Sequence, residues 1–489
     1  MSEPVPACSR CVALEAEVSA LRALVVQQQA LIESLQAQVQ ELTARLNQHS
    51  GNSSRPPSAD PPAAPPRPQP PRSGRRPGGQ PGHPGHSRRL PEPDRIVPCP
   101  PHDCRHCGHS LDGVTPEPQR CRRHTVIEIP PVRPEVTEYQ RSACTCPACG
   151  TRTWGELPPG VPTGGFGPRL QAPIRASVGT LAATLTGVYR VSRRAAVEWL
   201  GDWCGVPLSL GTLSRLEQRT AAALEGAYTE AGAATAQAAA VNVDETSWKE
   251  KRKRPWLWLA ATQQVAYFRI ADGRTRAAFQ ELLPLERGPD LPPRRVMSDR
   301  FSSYSHLEPW QRGLCWAHLK RDFQGRFDAG GPGRTVAHWA LDEIAKLFAH
   351  WHAFRRGECD RVGLQERLAP VQEAFRALLR MGTTCGCAKT EALCQNLLTV
   401  WDGLWTFGRE AGIEPTNNHA ERCLRRGVLW RKTSFGTQSA GGRQFVERML
   451  TVTTTLRLQG RSISDYLEAA CRAALDGTPP PSLLPAPTP

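Results

Sequence analysis

AAAVNVDETSW (residues 238–248) decides the fold: small apolar and polar residues alternate and run into a carboxylate, Asp244. That alternation reads as a strand with an acid at its end. Outward from it, PWLWLAATQQ (255–264) and VAYFRIAD (265–272) are two more apolar runs separated by short polar turns. RTRAAFQELL (274–283) reads as a helix, RRVMSD (294–299) as a fourth strand ending in Asp299, and GLCWAHL (313–319) as a fifth. This order predicts a mixed α/β sheet in which the first and fourth strands are neighbours, so that acids 55 residues apart in sequence meet.

Such an element order is that of the ribonuclease H-like fold. A third acid follows in TNNHAERCLRR (416–426), where Asn417 or Asn418 caps a helix and Glu421 falls about one turn in. Taken alone, Glu421 reads as a first-turn glutamate with Arg425 as its i+4 partner. Beside Asp244 and Asp299 it reads as the third member of a carboxylate cluster. Anions about 5 Å apart repel by roughly 3 kcal/mol per pair at an effective dielectric near 20. Divalent cations, Mg²⁺ or Mn²⁺, relieve that repulsion, and two of them about 4 Å apart serve to cut and join phosphodiesters. Between the acids, residues 335–354, 363–381 and 389–405 read as three helices of an inserted module.

The chain has 489 residues and a formal net charge of +15, which predicts several folded units and a polyanionic partner. No apolar run reaches a membrane span, and the N-terminus lacks a secretory pattern. With 17 cysteines, an odd count, reduced thiols and a cytoplasmic, nucleoid-associated location are expected.

Toward the N-terminus, Leu14, Val18, Leu21, Val25, Gln28, Ile32, Leu35, Val39, Leu42 and Leu46 follow 3-4 spacing with one polar member. This is a coiled-coil seam (residues 1–50), and it predicts a homo-oligomer. Residues 51–98 are a Pro/Arg-rich linker with eight arginines against three acids, readable as a solvated tether or as an arm along phosphates. Residues 99–150 carry Cys104-x2-Cys107-Gly and Cys146-x2-Cys149-Gly, two knuckles suited to one structural, four-thiolate Zn²⁺. TVIEIPPVRPEVTEYQRSA (125–143) reads as strands between them, and Cys99, Cys121 and Cys144 are spare ligands, with Cys144 able to displace Cys146. In residues 170–225, helices capped by Ser192 and Ser209 flank a turn at Gly205-Val206-Pro207, a helix-turn-helix pattern. Its second helix presents Thr212, Ser214, Arg215 and Gln218 to DNA.

GRRPGGQPGHPGH (74–86), the CxxCG pairs, VDET (243–246), SDRFSSY (298–304), CWAHLKRDF (315–323) and TNNHAERCLRRGVLWRKTSFG (416–436) together resemble the DDE transposases of insertion-sequence family IS sixty-six, over nearly the entire chain. The resemblance implies a ribonuclease H-like core, first part 236–325 and second part 413–470, interrupted by a helical insertion (326–412) and followed by a Pro-rich tail (471–489). It implies Asp244, Asp299 and Glu421 as catalytic, metal-holding acids. It also implies double-stranded DNA, both element ends and target, as substrate, and small accessory proteins from the same element as partners. Phosphate contacts are expected from His318, Lys320, Arg321, Arg422, Arg425, Arg426, Arg431 and Lys432. Three other readings compete: a DNA-binding regulator with a non-catalytic C-terminal half, a recombinase using a Tyr or Ser nucleophile with Tyr304 as the obvious candidate, and a metal-dependent nuclease that does not join strands.

Overall fold

The computed structural model describes residues 9–53, 60, 64, 95–115, 138–158, 178–284 and 291–485. Most of the Pro/Arg-rich linker, Cys121, the strands read between the two cysteine pairs up to residue 137, and the last four residues of the tail lie outside them. The chain divides into two compact units, Arg67–Arg133 and the remainder.

In the smaller unit, residues 102–111 form a knuckle. Cys104 N–H donates to His109 O (2.9 Å) and Gly108 N–H to Cys104 O (2.8 Å). Gly108 has φ +72°, a conformation that costs a residue with a Cβ.

The larger unit opens with helix α1 (Ser9–Leu46), whose seam residues Leu14, Leu21, Leu35 and Leu42 are all exposed. A short hairpin follows, β1 (Ala143–Thr145) and β2 (Arg152–Trp154). It encloses a second knuckle of the same form, with Cys146 N–H on Thr151 O (2.9 Å), Gly150 N–H on Cys146 O (2.9 Å) and Gly150 at φ +72°.

A helical layer comes next: α2 (Val178–Ala183), a π-helical turn Thr184–Val188, α3 (Arg193–Cys204), α4 (Leu210–Ala223) and α5 (Glu225–Gln237). Ser192 accepts from Ala195 N–H and Ser209 from Thr212 N–H, capping α3 and α4, and Gly205 ends α3 at φ +64°.

The central sheet has five strands: β3 (Ala240–Ser247), β4 (Trp256–Ala261), β5 (Ala266–Ala271), β6 (Arg295–Ser298) and β7 (Arg312–Leu314), with α6 (Arg276–Leu282) between β5 and β6. Their order is β5-β4-β3-β6-β7. The β5–β4 and β4–β3 pairs are antiparallel, and the β3–β6 and β6–β7 pairs parallel. The expected fifth strand is shorter than read. Only its first residues pair, and from Trp316 the chain is helix α7 (Trp316–Ala329), because Cys315 sits at the helix N-cap.

The remaining helices are α8 (Arg334–Arg355), α9 (Arg361–Gly382), α10 (Ala388–Thr399), α11 (Trp401–Leu404), α12 (Thr406–Arg409), α13 (Asn418–Ser434), α14 (Ala440–Leu458) and α15 (Ile463–Asp476). The stretch 389–405, expected as one helix, breaks at Val400 into α10 and α11. Two cores result. One joins the sheet to α5, α13, α14 and α15 through Trp258, Phe268, Met449 and Leu467. The other joins Met297 and Leu314 of the sheet to Trp316 of α7 and to Phe375 and Trp405 of the helical module.

Strand β5 is an edge, and α14 covers it residue by residue. Ala266, Phe268 and Ile270 donate their N–H groups to Thr455 Oγ1 (3.0 Å), Thr451 Oγ1 (3.0 Å) and Glu447 Oε1 (2.6 Å). Four residues of helix rise about 6 Å and two residues of strand about 6.7 Å, so the two repeats stay in step. The edge is thereby closed to pairing with another strand.

Candidate active site

The β3–β6 register pairs Asn242 with Met297. Continued two residues, it sets Asp244 beside Asp299, which lies one residue past the end of β6. Glu421 enters from α13. Asn417, at the N-cap of that helix, is almost wholly buried and makes no side-chain cap. Its amide instead ties the helix to β3, accepting from Asn242 Nδ2 (2.9 Å) and donating to Val243 O (2.8 Å). Its backbone N–H points at Cys315 Sγ (3.2 Å), and Trp316 N–H donates to Pro415 O (2.8 Å). The approach of α13 is therefore set by a buried amide against the strand that carries Asp244.

Asp244 senses the other two acids. Burial first, then the charges of Glu245, Asp299 and Glu421, hold the Asp244 carboxyl well above the ordinary aspartate value. Asp299 is steadied by Phe301 N–H on Oδ1 (2.9 Å) and by Arg274 Nη2 at 3.7 Å from Oδ2. Glu421 is not paired with Arg425, the i+4 partner of the plain first-turn reading: Arg425 is exposed, and the neighbour of Glu421 is His318, with Nδ1 3.8 Å from Oε1, beyond hydrogen-bond distance. Burial and the charge of Arg321 push the His318 imidazole below its ordinary value, so it is mostly neutral at pH 7. Burial lifts the Cys315 thiol to about 11, keeping it protonated.

Cys315, His318 and Glu421 place one ligand atom each within 4.8 Å of the others. Among the described residues, Asp244, Asp299 and Glu421 do not form so tight a set. As a donor set the acids nevertheless fit a hard divalent cation, since they offer oxygens only and Arg274 supplies a positive charge to one side alone.

Two contributors escaped the sequence reading. Glu245, buried next to Asp244, binds Arg274 Nη2 (2.5 Å) and Nε (2.6 Å) and accepts from Tyr304 OH. Arg274 lies over the Phe301 ring and links Glu245 to Asp299. The available signal was a second acid inside an apolar strand, which needs a buried cation. Tyr304 is fully buried, and burial followed by the Glu245 charge holds its phenol well above the ordinary value. A nucleophile must reach solvent and substrate, and this one does neither.

The expected DNA contacts scatter. Lys320, Arg422, Arg425 and Lys432 are exposed, and Arg321 and Arg426 half-buried. Arg431 is tied to the end of β3, donating to Ser247 O, to Ser247 Oγ (2.6 Å) and to Thr246 Oγ1 (3.1 Å). On α4, Arg215 and Gln218 are exposed, whereas Ser214 is half-buried and Thr212 is engaged by Ser209 Oγ (2.9 Å).

The model of the Transposase IS66 family matches residues 176–444. A family of unknown function, DUF6444, matches residues 3–89. No curated protein matches the chain. No helix among the described residues is long and apolar enough to cross a membrane.

Proposed function

The chain belongs to the Transposase IS66 family, a transposase whose substrate is DNA, and from that premise we propose that Asp244, Asp299 and Glu421 are its catalytic acids. The reading is supported by the β3–β6 register, which sets Asp244 beside Asp299, together with the charges of Asp299 and Glu421 acting on Asp244. The strand order, three antiparallel then two parallel, supports a ribonuclease H-like core. Two divalent cations, Mg²⁺ or Mn²⁺, would supply Lewis-acid charge at the scissile phosphate. The three carboxylates would hold them, while Arg274 and Glu245 fix Asp299 and the strand end, and His318 lies beside Glu421. Water then cleaves the phosphodiester at the element end, freeing a 3′-hydroxyl, and that hydroxyl displaces a target phosphodiester in line. One P–O bond is broken and one made at each phosphorus.

The Tyr304 reading is disfavoured by the burial of its phenol. The regulator reading parts from ours at one variant, and the nuclease reading at whether the wild-type protein joins strands. Asp244→Asn should lower cleavage and joining of element ends by at least about a thousandfold while leaving DNA affinity within about twofold. A chelator should mimic it. Full joining activity in the variant would remove the acids from the mechanism, and wild-type cleavage without any joined product would favour the nuclease.

The remaining assignments share this frame. The knuckle of Cys104 and Cys107 and that of Cys146 and Cys149 have matching hydrogen bonds and matching glycine conformations, which supports each pair by itself as thiolate Zn²⁺ ligands. The Cys104 and Cys149 thiols are lowered mainly by hydrogen bonds from neighbouring groups, as ligands need. Purified full-length protein lacking stoichiometric zinc would refute this. The capped pair α3–α4 supports a helix-turn-helix that reads DNA with Arg215 and Gln218, a role that unchanged binding in Arg215→Ala would exclude.

A further inference from the structure

Helices α7 and α13 start against each other. Trp316 N–H donates to Pro415 O (2.8 Å), and Asn417 N–H donates to Cys315 Sγ (3.2 Å). Cys315 is the N-cap of α7, held to β6 by its own N–H on Ser298 O (3.1 Å). His318 stands in the first turn of α7, with its backbone N–H on Cys315 O (3.1 Å). Glu421 stands in the first turn of α13. The clasp between the two helix starts gathers all three, with one ligand atom each from Cys315, His318 and Glu421 within 4.8 Å of the others.

His318 Nδ1 is buried and has no hydrogen-bond partner among the described residues. It lies 3.8 Å from Glu421 Oε1, too far for a hydrogen bond and close enough for both atoms to ligate one ion. Tetrahedral ligand bonds of about 2.0–2.3 Å set neighbouring donors about 3.5 Å apart, so no gap in the trio must close by more than about 1.3 Å. Glu421 can supply that movement, since its side chain is long and 40% exposed. A thiolate, an imidazole and a carboxylate are donors that zinc accepts, whereas Mg²⁺ takes oxygens. The charges balance as well: one thiolate and one carboxylate cancel a dication, and both anions sit at helix N-termini, where negative charge is favoured. The Asn417 N–H on the sulfur is an outer contact of the kind that orients a thiolate ligand.

We propose that Cys315, His318 and Glu421 form a zinc site, completed by water, and that zinc bound there withdraws Glu421 from Asp244 and Asp299. Binding exchanges the Cys315 thiol proton for the ion and releases that proton to solvent. The three acids suit a hard cation and this trio a softer one, yet Glu421 belongs to both sets. Zinc therefore holds the glutamate against α7 and switches the catalytic site off. The switching rests on the function proposed above, whereas the binding of zinc does not.

The test counts zinc bound per chain of full-length protein, by competition with a chromophoric chelator in excess Mg²⁺. The wild type should hold one zinc more than Cys315→Ser, and whatever the two cysteine knuckles hold is common to both. Serine keeps an acceptor for Asn417 N–H, and His318→Ala, which should lose the same zinc, serves if the serine variant fails to fold. With cobalt in place of zinc, His318→Ala should show a weaker thiolate-to-metal charge-transfer band than the wild type although it keeps every sulfur. Asp244→Asn should bind zinc as the wild type does. Filling the site should lower Mg²⁺-dependent cleavage of element ends by at least about tenfold, and further Mg²⁺ should not restore it. Equal zinc content in the wild type, Cys315→Ser and His318→Ala would overturn the site. Undiminished cleavage by the zinc-loaded wild type would overturn the switch. A wild type that binds this zinc but does not cleave with Mg²⁺ alone would sink the catalytic reading and leave the site standing.

Discussion

Asn417 is one side chain on which a catalytic geometry hangs. Its amide both accepts from Asn242 and donates to Val243 O, and no hydrocarbon side chain replaces either bond. Asn417→Ala should leave those groups unpaired in a buried place, at a cost of about 1–3 kcal/mol. We expect joining activity to fall by about ten- to a hundredfold with DNA affinity unchanged. Activity equal to wild type would show that Glu421 is positioned by something else. The sequence reading placed an asparagine at this helix start and assigned it the commoner task of capping. The local pattern was right about where the helix begins. It was silent on the partner, because Asn242 lies 175 residues away.

Helix α14 and strand β5 act as one element. Glu447, Thr451 and Thr455 stand at four-residue spacing and meet the strand's outward N–H groups. Burial lifts the Glu447 carboxyl to about 7 from its ordinary 4.5, against the opposing Ile270 N–H and nearby arginines. The unfolded chain therefore releases this proton first as pH rises. Between about pH 4.5 and 7 it binds fewer protons than the folded chain, so stability contributed here falls across that window by up to about 3 kcal/mol. Glu447→Gln keeps an acceptor for Ile270 N–H and has no proton to lose. Its melting temperature should exceed that of the wild type at pH 8 and match it near pH 4.5. An equal pH dependence in both proteins would exclude Glu447 as the source. The helix was hard to see in sequence, since its β-branched threonines are poor helix formers and are chosen instead for their hydroxyls.

At the scale of the molecule, α1 is a 38-residue helix whose seam faces solvent. Leu14, Val18, Leu21, Leu35 and Leu42 are each about half exposed or more, more apolar surface in one line than a single chain leaves uncovered. We propose that a second copy of α1 covers it as a coiled coil, holding two element ends in one assembly. Leu21→Asp with Leu35→Asp should convert the sedimenting species to a monomer and abolish paired-end joining. Binding of a single duplex should persist. A wild-type protein that sediments as a monomer at micromolar concentration would refute the pairing.

Local rules suffice for whatever one segment settles alone. The heptad seam, the serine caps of α3 and α4, the CxxCG turns and the apolar strands are written in short-range periodicity and turn chemistry, and the three acids stand out because carboxylates end apolar runs. Tertiary structure decided everything that depends on which segments meet: the Arg274–Glu245–Tyr304 network, the Asn417 clamp, and His318 rather than Arg425 beside Glu421. The physical reason is range. Hydrogen-bond periodicity acts over a few residues, whereas desolvation and Coulomb interactions between buried groups act through space and leave no regular spacing in the chain.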